Sequence, residues 1–314
     1  MGREPAPQST GPHVFVTGLA RSGTTVLMRA LFESGQFCSL TYRDMPFVLA
    51  PGLWSRIAGR AEREATQRAH GDGVMVDFDS PEAFDEVFWR IFCGADYIRA
   101  DRLLPMHADA ATIEKFRRYV ALIQRRHDRG RYLSKNNNNV LRLASIVEAF
   151  PAARILVPFR EPLQQSYSLL NQHRRFLARD RNDKFAVRYM RWLVHHEFGA
   201  DHRPFEWGLS VAQGRSPDTL DYWLAQWVGV YEQVLRAVEQ HRENARLVSY
   251  ELLCSQPELH WRRIADFVEL SAATPGGFRM SHSEAMGSVD ADLQRRAQCV
   301  HQELLAAACR VDRQ

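Results

Sequence analysis

Eight consecutive residues, Gly18-Leu19-Ala20-Arg21-Ser22-Gly23-Thr24-Thr25, carry the densest chemical signal in the chain. A glycine-framed run between a strand and a helix turns backbone N–H groups and the positive helix end toward one point, where a phosphate can sit. Gly18 and Gly23 permit the tight path and the close backbone approach. The frame G-x-x-x-x-G normally continues with lysine and then serine or threonine. Here Thr24 stands in the lysine's place, and the basic residue has moved inside the loop, to Arg21. ATP hydrolysis by the usual arrangement therefore has little support. An arginine within the loop can instead contact a 5′-phosphate and a group attached to it.

The elements that must position this loop follow from short apolar runs. Val14-Phe15-Val16-Thr17 reads as a strand, and Val26, Leu27, Ala30 and Leu31 follow at helical spacing, closed by Gly35. Arg154 to Val157 reads as a second strand, leading through Arg160-Glu161-Pro162 into a helix near Leu163, with Pro162 suited to its first turn. Pro158 predicts that this strand ends early or loses a ladder bond. Arg246 to Tyr250 is a third run, and Tyr132-Leu133-Ser134 a weaker one ahead of a helix over 140–150. Strands alternating with helices predict an α/β fold with a parallel sheet of four or five strands covered on both faces. Trp223, Trp227, Val230, Val234 and Val238 repeat at helical spacing as a core-facing stripe, and 288–310 reads as a terminal helix.

Composition narrows the function. A chain of 314 residues with 45% apolar side chains can bury one large core. Residues 1–11 read as a flexible lead without the apolar core of a signal peptide, and 12–314 as a single domain with helical insertions near 52–130 and 171–240. A net charge of +4 from 41 basic and 37 acidic side chains is too balanced for a nucleic-acid binder. No uncharged stretch is long enough for a membrane span. Five scattered cysteines without CxxC spacing, and no HExxH, suggest neither a disulfide framework nor a metal site, and point to a cytoplasmic setting. Among the basic residues only Lys115, Lys135 and Lys184 are lysines, so each is worth attention.

The string Arg21-Ser22-Gly23-Thr24-Thr25-Val26-Leu27-Met28-Arg29 resembles the phosphosulfate loop of the sulfotransferase superfamily, of the arginine type found in bacterial and tyrosylprotein members. That resemblance implies the P-loop-like sulfotransferase fold and a donor, 3′-phosphoadenosine 5′-phosphosulfate (PAPS), used without a metal. It also implies a second cradle, for the donor's 3′-phosphate. Arg160 at a strand end and Ser168 eight residues on have the family's spacing, with a bidentate guanidinium and a helix hydroxyl as donors. Ser249-Tyr250-Glu251-Leu252-Leu253 is similar to a third family stretch, in which the tyrosine lies near the nucleotide.

Sulfuryl transfer in line builds negative charge on the leaving phosphate oxygen and releases a proton from the acceptor. Arg21 and the loop N–H groups meet the first demand. Lys135 joins them, standing where tyrosylprotein relatives carry a lysine in Asn-Lys-Asp-Pro, although the Asp-Pro is absent here. For the base, Asp44 lies near the position of a family glutamate, and His70, in a glycine-flanked loop, is the alternative. Arg43 is a candidate for an anionic acceptor, and Phe47, Trp54, Phe84, Phe88 and Trp89 for the walls of an acceptor pocket. A small-molecule, lipid or glycan acceptor would suit the same donor site. A nucleotide-dependent kinase or NTPase with an altered loop, and a non-catalytic nucleotide-binding or scaffold protein, are the competing classes.

Overall fold

The structure is a computed structural model that describes residues 11–45, 47–51, 66–67, 75–76, 83–181, 184–208, 212–271, 273–280 and 288–310. The lead expected over 1–11 lies outside the described residues except for Gly11, as do Trp54 and His70.

Five parallel strands form the sheet: β1 (Val14–Val16), β2 (Phe37–Cys38), β3 (Arg131–Lys135), β4 (Arg154–Phe159) and β5 (Ala245–Ser249), in the order β2-β3-β1-β4-β5. Helices α1 (Thr24–Phe32), α2 (Glu86–Tyr97), α3 (Ala110–His127), α4 (Leu143–Ala149) and α5 (Pro162–Asp180) accompany the first four strands. Then follow α6 (Lys184–Trp192), α7 (Leu220–Gln240), α8 (Tyr250–Ser255), α9 (Pro257–Phe267) and α10 (Ala291–Arg310). Apart from the sheet, Thr66–Gln67 pairs antiparallel with Met75–Val76.

Strand alternation splits the core in two. Val14, Val16, Leu133, Leu156 and Val248 pack with Leu27, Met28 and Leu31 of α1 and with Trp261, Ile264 and Ala265 of α9. Phe15, Tyr132, Ile155, Val157 and Phe159 face the other way, into a larger cluster with α2 to α5, α7 and α10. The expected stripe on α7 is there: Trp223, Trp227, Val230 and Val234 are buried in that second cluster. Sheet burial on both faces is why the strands read as nearly continuous apolar runs.

Pro158 does not end β4, contrary to the sequence expectation. The strand runs on to Phe159 and stays paired with β5, Pro158 opposite Val248. The last β1 partner in β4 is Leu156, opposite Val16, and the Pro158 carbonyl faces Gly18, beyond that pair. The missing N–H falls where β1 has already turned into its loop, so no ladder bond is lost. Tyr231 of α7 donates its hydroxyl to the Pro158 carbonyl at 3.0 Å.

Behind the strand ends lies a buried polar network. Arg142 is wholly buried; its Nε donates to Asn139 Oδ1 at 2.9 Å, and its Nη1 and Nη2 reach the two Glu86 oxygens. Asn136 Nδ2 donates to Glu86 Oε2 at 2.6 Å and Asp85 Oδ1 at 3.2 Å, and Ser134 Oγ to Asp85 Oδ2 at 2.6 Å. Asn137, Asn138 and Asn139 are thereby fixed in a 3-10 turn over Asn137–Leu141, capped by Asn136, rather than a helix starting near 140. Arg142→Met leaves Glu86 buried without its counter-charge and should cost about 3–5 kcal/mol. Urea unfolding followed by circular dichroism measures it, and a loss under about 1 kcal/mol contradicts this role.

Candidate active site

Three helices begin at the C-terminal ends of neighbouring strands: α1 after β1, α5 after β4 and α8 after β5. Their positive ends meet at one edge of the sheet, where an anion is favoured. The β1–α1 loop is bent by three residues in the left-handed region: Gly18 at φ 146°, Arg21 at φ 67° and Gly23 at φ 98°. Arg21 is the one with a Cβ, so its backbone carries the strain. Gln165 of α5 pins the loop from outside, its Nε2 donating to Leu19 O at 3.3 Å and Ala20 O at 2.9 Å. Ser22 and Thr24 are buried, and Thr25 is half-buried in the first turn of α1.

The second predicted cradle meets this loop directly. Arg21 Nε donates to Ser168 Oγ at 3.0 Å, and Arg160 Nη1 donates to the Arg21 carbonyl at 3.4 Å. Arg160 is 7% exposed, with Glu251 Oε1 of α8 at 3.8 Å from its Nε and the Tyr250 ring centroid 5.6 Å from its guanidinium carbon. Burial pushes the Tyr250 phenol up to about 12, and its hydroxyl donates to Arg279 O at 3.1 Å. Its ring lies flush on the loop: a Cβ built on Gly23 would sit 2.4 Å from Tyr250 Cδ2. Arg21, Ser22, Gly23, Thr24, Arg160, Ser168 and Tyr250 are thus drawn into one constellation. Residues 147 positions apart touch because β1 and β4 are adjacent.

Lys135 closes β3, the strand on the other side of β1, and is 7% exposed. The neighbouring Asn136 N donates to Val16 O at 3.0 Å, which ties this strand end to the start of the loop. Thr24 Oγ1 donates to Asn137 Oδ1 at 3.4 Å.

Asp44 is differently engaged. It ends a 3-10 turn, Tyr42–Asp44, and its Oδ2 accepts from Thr41 N at 2.8 Å and Thr41 Oγ1 at 3.2 Å in a capping box. His127 Nε2 lies 3.8 Å away, and the carboxylate is 2% exposed. Its partners belong to its own turn and α3, not to the loop. Phe84, Phe88 and Trp89 are core residues packed among Phe116 and Tyr119, whereas Phe47 is exposed.

Sequence reasoning overlooked Glu197. It follows α6 and lines a small cavity with Leu19 and Ala20 of the loop, Asn138, His196 and His202. Glu197 Oε1 accepts from Asn137 Nδ2 at 3.2 Å, and His195 Nδ1 lies 3.6 Å from its Oε2. Burial alone would raise this carboxyl, but the hydrogen bond and charge of His195, with Lys135 behind, hold it well below the usual carboxylate range. The signal was the polar triplet His195-His196-Glu197 between apolar Leu193-Val194 and Phe198. Among the described residues, no group of three or more His, Cys, Asp or Glu side chains is placed to hold a metal ion.

The pattern that defines the Sulfotransferase family matches residues 12–205, which takes in the loop, Lys135, Arg160 and Ser168. The chain belongs to the sulfotransferase family. As a sulfotransferase it is an enzyme that transfers sulfuryl groups. Tyr250 lies beyond the matched span. Similar solved structures include sulfotransferase STF9 of Mycobacterium avium, at 17% identity over 94% of this chain and 68% of that one, with a TM-score of 0.48. Sulfotransferase STF1 of Mycobacterium tuberculosis aligns at 13% identity over 95% and 73%, with a TM-score of 0.47. A sulfotransferase of Alicyclobacillus acidocaldarius aligns at 16% identity over 96% and 95%, with a TM-score of 0.42. Comparison with curated proteins yields no match.

Gly23→Ala should expel the Tyr250 ring and strain the loop. It is expected to cost about 1–3 kcal/mol of stability, read by urea unfolding followed by circular dichroism. Unchanged stability contradicts the contact's importance.

Proposed function

We propose that this sulfotransferase takes the sulfuryl group from PAPS and passes it in line, without a metal, to a hydroxyl or amine acceptor. The observation that carries the reading is the pair of bonds joining Arg21 to Ser168 and Arg160 to the Arg21 carbonyl. Two anion cradles in contact suit a donor with a phosphate at each end of one adenosine. The fit is also chemical: the converging groups are N–H donors, hydroxyls, two guanidiniums and positive helix ends.

In this reading the 5′-phosphosulfate lies along Arg21, Ser22, Gly23, Thr24 and Thr25, and Arg160 and Ser168 take the 3′-phosphate. Tyr250, its phenol raised further by burial, offers its ring to the nucleoside. Arg21 and the loop N–H groups stabilise the charge that grows on the leaving phosphate oxygen, and Lys135 approaches from β3. These protein cations supply the neutralisation that a metal gives elsewhere. Residues 12–314 are read as one unit, a reading supported by the packing of α10 in the same core as β4 and α5. Among the described residues no helix is long and apolar enough to cross a membrane. All five cysteines are free thiols, consistent with a cytoplasmic enzyme that takes a small-molecule, lipid or glycan acceptor.

In a thermal-shift comparison, 3′,5′-bisphosphoadenosine at one hundred times its dissociation constant should add about 2.7 kcal/mol without any metal. Mg-ATP should add little. Arg160→Ala should weaken bisphosphoadenosine about 10- to 100-fold, the loss of a charge-assisted pair, and leave adenosine 5′-phosphate binding nearly intact. Equal weakening of both ligands contradicts the assignment of Arg160 to the 3′-phosphate.

A further inference from the structure

The sheet ends at β5, and among the described residues no strand pairs with its outer side. Four successive residues of that strand, Arg246 to Ser249, line one cavity of about 400 Å³. Neighbouring strand residues face opposite ways, Leu247 toward the core that holds α10 and Val248 toward the core that holds α9. A cavity that touches them all therefore lies along the open edge. Ile264 and Phe267 of α9 and Ala308 near the end of α10 wall it from the two sides. Apolar side chains make most of its surface, and its size is that of a small-ligand site.

Arg246 gives this apolar cleft its charge. Its guanidinium carbon lies 4.6 Å from the centroid of the Phe267 ring on the wall. Nη1 donates to Arg242 O and, at 3.0 Å, to Ala245 O, whereas Nε is buried without a hydrogen-bond partner. Among the described residues Arg246 forms no ion pair. Arg154, the second cation on the Phe267 ring at 5.4 Å, is by contrast paired with Glu269 at 3.2 Å. Burial first, and then the charge of Arg154, lower the Arg246 pKa, so its cation is held at a disadvantage that an anion would remove. On α9, Arg263 and Asp266 bring opposite formal charges to the wall beside His260, which leaves Arg246 as its net charge.

We propose that this edge cleft is a second ligand site, which takes a small amphiphile with one anionic head on an apolar body. The body lies against Leu156, Leu247, Val248 and Ile264, and the head, a carboxylate or a sulfate ester, pairs with Arg246. An unpaired cation among apolar walls is unfavourable, and a ligand of this class answers the charge and covers the walls together. The inference does not depend on PAPS as the donor. The cleft is separate from the two anion cradles, although Ser249 and Leu252 on its wall lead into α8, which sets Tyr250 and Glu251 beside Arg160.

Isothermal titration of the full chain with decanoate, 2-naphthyl sulfate and decanol tests the site. At least one of the two anions should saturate a single site, the tighter of them identifying the head, and decanol should bind more weakly. Arg246→Met should weaken the anion about 10- to 100-fold and leave decanol unchanged, whereas Arg246→Lys, which keeps the charge, should retain most of the affinity. Ala308→Trp, which fills the cleft from α10, should abolish anion binding with the circular dichroism spectrum unchanged. Absence of saturable anion binding by the wild-type chain overturns the proposal. An anion affinity unchanged in Arg246→Met overturns it too, as does one that survives Ala308→Trp. Should Arg246→Met fail to fold, the folded Ala308→Trp variant decides.

Discussion

Cations gathered at one sheet edge repel one another, and the fold has to contain that repulsion. Arg21, Arg160 and Lys135 converge with the positive ends of α1, α5 and α8 on one sheet edge. Their counter-charges come from the same elements. Glu251, in the first turn of α8, stands by Arg160, and its Oε1 also accepts from Glu161 N at 3.0 Å. Glu161 caps α5 by accepting from Gln164 N at 2.7 Å. Glu197 answers Lys135 from the segment after α6. Each carboxylate steadies a cation or a helix end.

Rigidity at this edge is inherited from below. The loop is held by Gln165, whose Oε1 accepts from Trp227 Nε1 at 3.0 Å, so the aromatic stripe of α7 is coupled to the path of Leu19 and Ala20. On the β3 side, the asparagine turn rests on Asp85, Glu86 and Arg142. Burial raises the Asp85 carboxyl to about 6, with the charge of Glu86 adding to it and the hydrogen bonds of Ser134 and Asn136 opposing. Such a network orders Lys135, Asn137 and Asn138 because its charged members, Asp85, Glu86 and Arg142, are each hydrogen-bonded within it.

The grouping of Arg21, Arg160 and Ser168 was legible because its pattern is local. A glycine frame, an arginine inside it and an Arg-x7-Ser spacing behind a strand are short-range patterns, and parallel pairing of β1 with β4 turns them into contacts. Strand and helix periodicity likewise gave β1, β3, β4, β5, α5, α7 and α10 within a few residues. The two-residue β2 carries no periodicity to read, and Pro158 misled because its effect depends on which neighbour its N–H faces. Contacts between distant segments were opaque for the same reason. Asp44 has the right distance along the chain, but its carboxylate is spent on a capping box. Glu197, linked to Thr24 through Asn137, lies 173 residues beyond it along the sequence, and no local pattern brings it there.

The central claim is that one nucleotide spans both cradles, and a crystal structure with 3′,5′-bisphosphoadenosine tests it most directly. The account predicts the 5′-phosphate within hydrogen-bond distance of the Ser22 to Thr25 backbone, and the 3′-phosphate on Arg160 and Ser168. A nucleotide bound with either phosphate elsewhere, or with Arg160 turned away from it, would contradict the account.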